Sequence, residues 1–296
     1  MRHYPFVTVD VFTDRRFGGN QLAVFPAADG LSDAEMQALA AEMNYSETTF
    51  VLPPQDPANT ARVRIFNRTA EMPFAGHPNV GTGFALAVLG QAADDVLRFE
   101  ERAGLVAVRI VRTADGVPSG AEIDAPQPLQ LLGEMPAGLI ADCIGLPLSA
   151  VRTAAHPPVR ATVGVEFVLA EVEAATLAAA APDLTAFRRA LPGDPDAAAR
   201  LSVLLYARDG SAVRARMFAP LSGTWEDPAT GSANATLAAL LLSLSGAEAA
   251  AFDISQGVEM GRPSRLRASA RRTPDGIRAR VAGSAVMVLR GTATLD

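Results

Sequence analysis

The chain is poor in the residues that metal and thiol chemistry need. Among 296 residues there is one cysteine, Cys143, and there are three histidines, His3, His77 and His156. A single thiol closes no internal disulfide, and three scattered imidazoles lack the spacing of a zinc or iron site. Neither a metal nor a cofactor is therefore expected. Cys143 lies in the apolar run Leu139-Ile-Ala-Asp-Cys-Ile144, where a packing thiol is expected rather than a nucleophile. Gly-rich phosphate loops are missing too: Gly18-Gly19-Asn20 lacks the third glycine and the spacing of a dinucleotide fingerprint. No run approaches the ~20 apolar residues of a membrane span. Basic clusters are absent, and 26 Lys+Arg against 32 Asp+Glu give a net charge of −6. Nucleic acid and anionic membranes are thus excluded as expected partners. The first ten residues carry no apolar signal core and read as a strand, and with the lone thiol this leads to a cytoplasmic expectation.

What is present is an ordinary globular composition, 49% hydrophobic and 20% charged, at a length that favours two domains. The most informative stretch is Glu71-Met-Pro-Phe-Ala-Gly-His-Pro-Asn-Val-Gly-Thr-Gly83, which runs into the apolar Phe84-Ala-Leu-Ala-Val-Leu89. It reads as the start of a buried helix, with His77 at the cap and Pro78 just inside it. Small residues around Ala75, Gly76 and Gly81 would leave backbone N–H groups open to an anion such as a carboxylate. A second stretch, Trp225-Glu-Asp-Pro-Ala-Thr-Gly-Ser-Ala-Asn-Ala-Thr-Leu237, repeats the design. An offset of 150 lays Asp227-Pro228 over His77-Pro78 and Gly231-Ser232 over Gly81-Thr82, and Arg64-Ile-Phe66 matches Arg216-Met-Phe218. The expectation is an internal duplication with a proline-started buried helix in each half.

Around these helices the chain reads as strands. Phe6–Phe12 and Gln21–Phe25 form a hairpin-like start, and Ser32 with Glu35 makes a capping box for a helix ending near Asn44. Thr48–Leu52 is a strand interior, so Glu47 is an acid at a strand mouth, where partial desolvation would raise its pKa and suit proton transfer. Its bland alternative is an edge or capping acid. Val96–Glu100 and Leu105–Val111 read as an antiparallel pair, followed by a short strand over Ala121–Ala125. Further on, helices are expected at Met135–Gly145, Ala174–Ala180 and Pro182–Leu191, and four short strands between Ser255 and Leu289. Strand-rich halves with one dominant buried helix each indicate an α+β fold.

Five separated motifs then resemble one family. Asp10-Val-Phe-Thr-Asp14 with Gly19-Asn20, Ser46-Glu-Thr-Thr-Phe-Val51, Glu71–Pro78, Glu226-Asp-Pro-Ala-Thr-Gly-Ser-Ala233 and Gln256-Gly…Met260-Gly-Arg-Pro-Ser264 are similar to the PhzF-like phenazine-biosynthesis proteins. The resemblance implies a diaminopimelate-epimerase-like fold: two pseudo-symmetric lobes, each a mixed β-barrel around a central helix, with the active site in the inter-lobe cleft. The lobes are expected at 1–120, completed by a returning strand at about 281–296, and at 121–280. A homodimer is also implied. Carried over residue by residue, Glu47 is the general acid/base, with His77 and Asp227 as catalytic partners. Ser46, Gly76, Gly231 and Ser232 are the substrate-binding positions.

Asn79 and Asn67-Arg68 depart from the residues usual at those places in the family. A two-thiol racemase is excluded by composition. Laying Val51-Leu52 over Val203-Leu204 puts Ala199 opposite Glu47, so the second half offers no matching acid. The expected activity is cofactor-independent isomerisation of a small, cyclic carboxylate or amino acid by a proton moved within it. Two alternatives stay open: an amino-acid epimerase using Glu47 and Asp227, and a non-catalytic small-acid binding protein.

Overall fold

The computed structural model describes residues 1–190 and 201–296. They fall into two compact units, Met1–Pro126 with Val281–Asp296, and Gln127–Arg280. The first unit begins with β1 (Arg2–Val11), β2 (Asn20–Phe25), α1 (Asp33–Met43), β3 (Glu47–Leu52), β4 (Ala61–Phe66) and β5 (Glu71–Met72). It continues through α2 (Gly76–Val88), β6 (Val96–Glu101), β7 (Gly104–Arg112) and β8 (Pro118–Asp124). Within the second unit come β9 (Gln130–Glu134), α3 (Ala137–Cys143), β10 (Val151–Arg152), β11 (Val159–Thr162), β12 (Glu166–Val172) and α4 (Leu184–Ala190). After them follow β13 (Val203–Asp209), β14 (Ala212–Ala219), β15 (Thr224–Asp227), α5 (Gly231–Ser243), β16 (Ala249–Gln256) and β17 (Ser264–Thr273). A long last strand, β18 (Gly276–Leu295), starts in the second unit and ends in the first.

In the first unit the strands close on themselves. β1 pairs antiparallel with β2, β2 parallel with β3, β3 antiparallel with β4, and β4 parallel with β6. From there β6, β7 and β8 form antiparallel neighbours, and β18 joins β8 to β1. The result is an eight-stranded barrel without a free edge. β8 belongs to this barrel because it pairs with β7 and β18, so it ends the first unit rather than opening the second.

Helix α2 threads the barrel, touching β1, β2, β3, β7 and β8, and every residue from Gly76 to Leu86 is buried. A helix apolar all round fits such a site. One intruding polar pair is matched, as the Thr82 and Thr49 hydroxyls meet at 2.8 Å. Outside the barrel, α1 covers a run of contacting rings, with Phe25 stacked on Phe50 at 5.0 Å and Phe66 edge-on to Phe50 at 5.5 Å. Its capping box is present, with Ser32 Oγ accepting from the Glu35 N–H at 3.3 Å and the Ser32 N–H donating to Glu35 Oε2 at 2.8 Å. Asn44, at φ 55°, ends the helix and turns the chain towards Glu47.

The second unit repeats the connectivity. β11 and β12 are antiparallel, β12 and β13 parallel, β13 and β14 antiparallel, β14 and β16 parallel, and β16 and β17 antiparallel. Helix α5 packs on β11, β12, β16 and β17, and is buried from Ala233 to Leu242. The duplication is real, but its register differs from the expected offset of 150. Both helices have 13 residues, Gly76 lies over Gly231 and Val88 over Ser243, an offset of 155 (231 less 76).

Side-chain geometry is repeated as well, at an offset of 152 for the arginines and phenylalanines and 155 for the glutamates and asparagines. Arg64 grips Glu71 through two hydrogen bonds of 2.8 Å and covers the Phe66 ring at 5.1 Å. Arg216 grips Glu226 through two bonds of 2.8 Å and covers the Phe218 ring at 4.9 Å. Asn79 Nδ2 donates to the Ala75 carbonyl at 3.0 Å, and Asn234 Nδ2 to the Thr230 carbonyl at 3.0 Å.

Several sequence expectations are corrected by this register. Ala75, not His77, caps α2, and His77 and Pro78 are its second and third residues. Proline is tolerated there because the N–H groups of the first turn have no intrahelical acceptor. Pro228 does not start α5 at all, since Thr230 is its cap. His77 thus lies over Ser232, and Asp227, at the end of β15, lies over Met72. Thr48 faces Phe66 and Val203 faces Phe218, so Ser202 is the counterpart of Glu47; Ala199 and Leu191 lie outside the described residues.

The helix expected at Ala174–Ala180 is a single 3-10 turn, Leu177–Ala179. Arg216 Nη1 takes the carbonyls of Leu177, Ala178 and Ala180 at 3.0, 3.2 and 2.7 Å, so those acceptors serve a guanidinium instead of a helix. The four short strands expected near the C-terminus are the end of β16 and the longer β17 and β18.

Barrel closure makes one glycine irreplaceable. A Cβ on Gly120 of β8 would stand 2.0 Å from the Gly283 carbonyl oxygen of β18. Backbone must move to admit it, so Gly120→Ala should cost at least ~1–3 kcal/mol in urea unfolding. Gly138 in α3 has open space around its Cβ position, so Gly138→Ala should instead be neutral or add up to about 1 kcal/mol.

Candidate active site

Glu47 opens β3, where its backbone lies beside Leu22 in the parallel pairing with β2. Its side chain is only 16% exposed, and Oε2 lies 3.3 Å from Nε2 of His77, which is 6% exposed. Burial pushes the Glu47 carboxyl up to about 7, opposed by the Ser46 hydrogen bond and the Arg68 charge. A carboxyl in that condition exists in both protonation states near neutrality, the property wanted of a group that both takes and gives a proton.

A third residue, unassigned from the sequence as a site residue, fixes the imidazole. Asn20 Nδ2 lies 3.3 Å from His77 Nδ1, and Asn20 Oδ1 accepts from Ser46 Oγ at 3.1 Å. With its oxygen committed to Ser46, the Asn20 amide offers N–H to Nδ1. Nδ1 is then the acceptor, and the ring proton of neutral His77 sits on Nε2, the nitrogen next to Glu47. Ser46 therefore acts on His77 through Asn20.

The placement of Asn20 follows from the loop before it. The Phe17 N–H donates to Asp10 Oδ2 at 2.6 Å, folding the loop back on β1. Gly19 has φ +64°, and a Cβ there would lie 2.3 Å from the Val11 carbonyl oxygen. Only glycine fits, and it delivers Asn20 into β2. The signal available in the sequence was the Gly-Gly-Asn turn next to a strand; its pairing with a histidine 57 residues on is a product of the barrel.

The remaining candidates lie in the second unit. Asp227 is buried and accepts from Thr230 Oγ1 at 2.5 Å, while its carbonyl accepts from Gln256 Nε2 at 2.8 Å. Gly231 and Ser232 are the first two residues of α5, as Gly76 and His77 are of α2. The structure thus brings Ser46, Glu47, His77 and Asn20 together in one constellation, and holds Asp227 next to the first turn that carries Gly231 and Ser232. Cys143 is fully buried in the core around α3 and α4, and burial pushes its thiol up to about 11, which suits packing and not nucleophilic attack.

The barrel around a buried helix, repeated in connectivity, is the diaminopimelate-epimerase-like α+β fold. A PhzF-family protein of Bacillus anthracis shares it, with a TM-score of 0.87 over all of both chains at 24% identity. The trans-2,3-dihydro-3-hydroxyanthranilate isomerase of Pseudomonas aeruginosa is 38% identical over 99% of this chain and 100% of its own. An uncharacterised isomerase of Mesorhizobium japonicum is 38% identical over 98% and 99%. Residues 9–291 match the family described as phenazine biosynthesis-like protein. The chain belongs to that PhzF-like family, and it is an isomerase.

The imidazole geometry has a direct spectroscopic consequence. Nitrogen-15 spectra of the neutral enzyme should show His77 as the Nε2–H tautomer. Asn20→Asp replaces the donor facing Nδ1 with an acceptor, so the ring should shift to Nδ1–H or to imidazolium. An unchanged Nε2–H signal in that variant would remove Asn20 from its role.

Proposed function

We propose that the protein relocates a proton within a small carboxylate, without a cofactor, by general acid/base catalysis at Glu47. The observation that carries this reading is the desolvated Glu47 carboxyl, 3.3 Å from an imidazole whose other nitrogen faces Asn20. Ionised Glu47 removes a proton from an activated C–H. The C–H electrons form a new C=C bond, an adjacent double bond shifts, and the far carbon takes the proton back from protonated Glu47. Atoms and oxidation level are conserved, so the step needs only an acid/base. His77 holds the carboxyl in place and donates from Nε2 as charge develops. The substrate class is a cyclic amino acid like the one named for the Pseudomonas relative. Asp227 is assigned to a polar substituent, and Ser232 with the N–H groups of Gly76 and Gly231 to the carboxylate.

Amino-acid epimerisation with Asp227 as a second base is the runner-up, and silent binding the third reading. Turnover in deuterium oxide separates them. Double-bond migration with label or internal transfer supports the isomerase, labelled inversion the epimerase, and no exchange a binder.

Glu47→Gln keeps size and hydrogen bonding but has no titrating proton. It should lower turnover by ~10²–10⁴-fold while substrate affinity changes little. Near-normal turnover in a folded Glu47→Gln enzyme would end the assignment. Cys143→Ala serves as the contrast: modest loss of stability, no loss of rate.

A further inference from the structure

Glu101, the last residue of β6, is an acid in a place where an acid is costly. Both of its carboxyl oxygens are buried, and neither makes a hydrogen bond of good geometry. The polar side chain that bears on it is Asn79, from the first turn of α2, whose Oδ1 is also buried without a well-aligned donor. An ionised carboxylate is costly in such a setting without a cation, and among the described residues burial and Asn79, not a cation, act on it. The Arg62 backbone lies opposite Glu100 in the strand pairing, and Arg102 reaches Glu71.

The internal duplication shows what this position is for. The offset of 155 that lays α2 on α5 places Glu101 over Gln256, Asn79 over Asn234, Ala75 over Thr230 and Met72 over Asp227. In the second unit Gln256 is the hub of the helix start. Its Oε1 accepts from Asn234 Nδ2 at 2.7 Å and from the Thr230 N–H at 3.2 Å. Its Nε2 donates to the Asp227 carbonyl at 2.8 Å and to Thr230 Oγ1 at 3.0 Å. That task needs one acceptor and one donor on the same group. A carboxylate offers only acceptors, whereas a carboxylic acid offers both.

We infer that Glu101 is held as a neutral carboxylic acid, standing in for the amide of Gln256, and that it positions the first turn of α2 and hence His77. Its C=O faces the Asn79 amide, and its O–H is the counterpart of Gln256 Nε2. Desolvation pushes the Glu101 carboxyl up to about 8, with the Asn79 hydrogen bond as the opposing influence, so the acid form prevails at neutral pH. The inference stands on burial and internal repetition, and holds whatever the substrate is.

Infrared difference spectra of wild type minus Glu101→Gln at neutral pH test it, since Glu47 and every other acid cancel. A protonated-carboxyl C=O band should appear and fade as pH passes about 8. Amide hydrogen exchange at Gly76 and His77 should be within about 2-fold of wild type in Glu101→Gln, and at least ~10-fold faster in Glu101→Leu. The pH profile of stability has a fixed sign. The folded state holds its proton up to a higher pH than the unfolded chain does, so wild type loses stability as pH rises from about 4.5 through about 8. Glu101→Gln should keep only the part of that loss that Glu47 contributes, so its Tm advantage over wild type should grow over the same window. A carboxylate band at neutral pH in wild type, or a Glu101→Gln variant as loosened as Glu101→Leu, would overturn the inference. Should Glu101→Leu fail to fold, the band and the Glu101→Gln exchange rates still decide it.

Discussion

Enclosing a helix in a barrel removes water from its first turn, and the rest of the structure answers to that constraint. Four N–H groups at a helix start have no intrahelical acceptor. On a surface water supplies one; inside a barrel the protein must. Both units place an asparagine at the fourth helical position, Asn79 and Asn234, whose amide donates back to the cap carbonyl, and in the second unit Gln256 Oε1 accepts from the Thr230 N–H. The strand that follows each helix brings up a second polar side chain, Glu101 or Gln256. What this leaves is a dry, rigid first turn. In the first unit that turn carries His77, and dryness is also what raises the Glu47 carboxyl beside it. The raised Glu47 carboxyl and the structural cost have a single origin.

The same dryness explains which parts of the architecture were legible in the sequence. Long apolar tails after Gly76 and Gly231 announced two buried helices, and alternation announced most strands of the first unit. The repeat itself was visible, but its register was not. Matching proline to proline put Asp227 over His77, whereas the structure keeps the Arg64–Phe66 and Arg216–Phe218 match already read in the sequence and adds the glutamates and asparagines. Prolines mark where a chain may turn, and they move freely along a loop. A guanidinium gripping a carboxylate across two strands has one geometry, so Arg64–Glu71 and Arg216–Glu226 hold register where prolines do not. The Ala174–Ala180 segment misled for a related reason. Alanine favours helix, yet Arg216 claims the carbonyls that a helix would use.

Within the candidate site, Glu47 stood out as an acid at a strand mouth and His77 as an imidazole at a helix start, and the family resemblance supplied their expected roles. Asn20 did not, because an asparagine after two glycines is first of all a turn residue. Its contact with His77 exists only once β2 and α2 are packed together. Glu101 escaped for the opposite reason: an acid at the end of Val96-Leu-Arg-Phe-Glu-Glu101 looks like a solvated strand end. Only its burial, and the amide found at the repeated position, give it a different meaning.

The repeat also separates scaffold from chemistry. Residues that build the units are kept in both: Arg64 and Arg216, Glu71 and Glu226, Phe66 and Phe218, Asn79 and Asn234. Positions offered for chemistry have diverged: Glu47 lies over Ser202, His77 over Ser232, and Met72 over Asp227. Two matched bases would suit stereoinversion, in which one face is deprotonated and the other reprotonated. The repeat supplies no second acid at the position of Glu47. A lone carboxyl that must first accept and then return a proton works best when neither form is strongly preferred. Burial without a strong ion pair provides that balance, and a salt bridge to a fixed arginine, of the kind that Glu71 and Glu226 make, would have destroyed it by holding the carboxylate ionised. Placing the guanidinium clamps on Glu71 and Glu226 and an imidazole beside Glu47 lets one repeated unit combine a rigid scaffold with the proton-shuttle role proposed for Glu47.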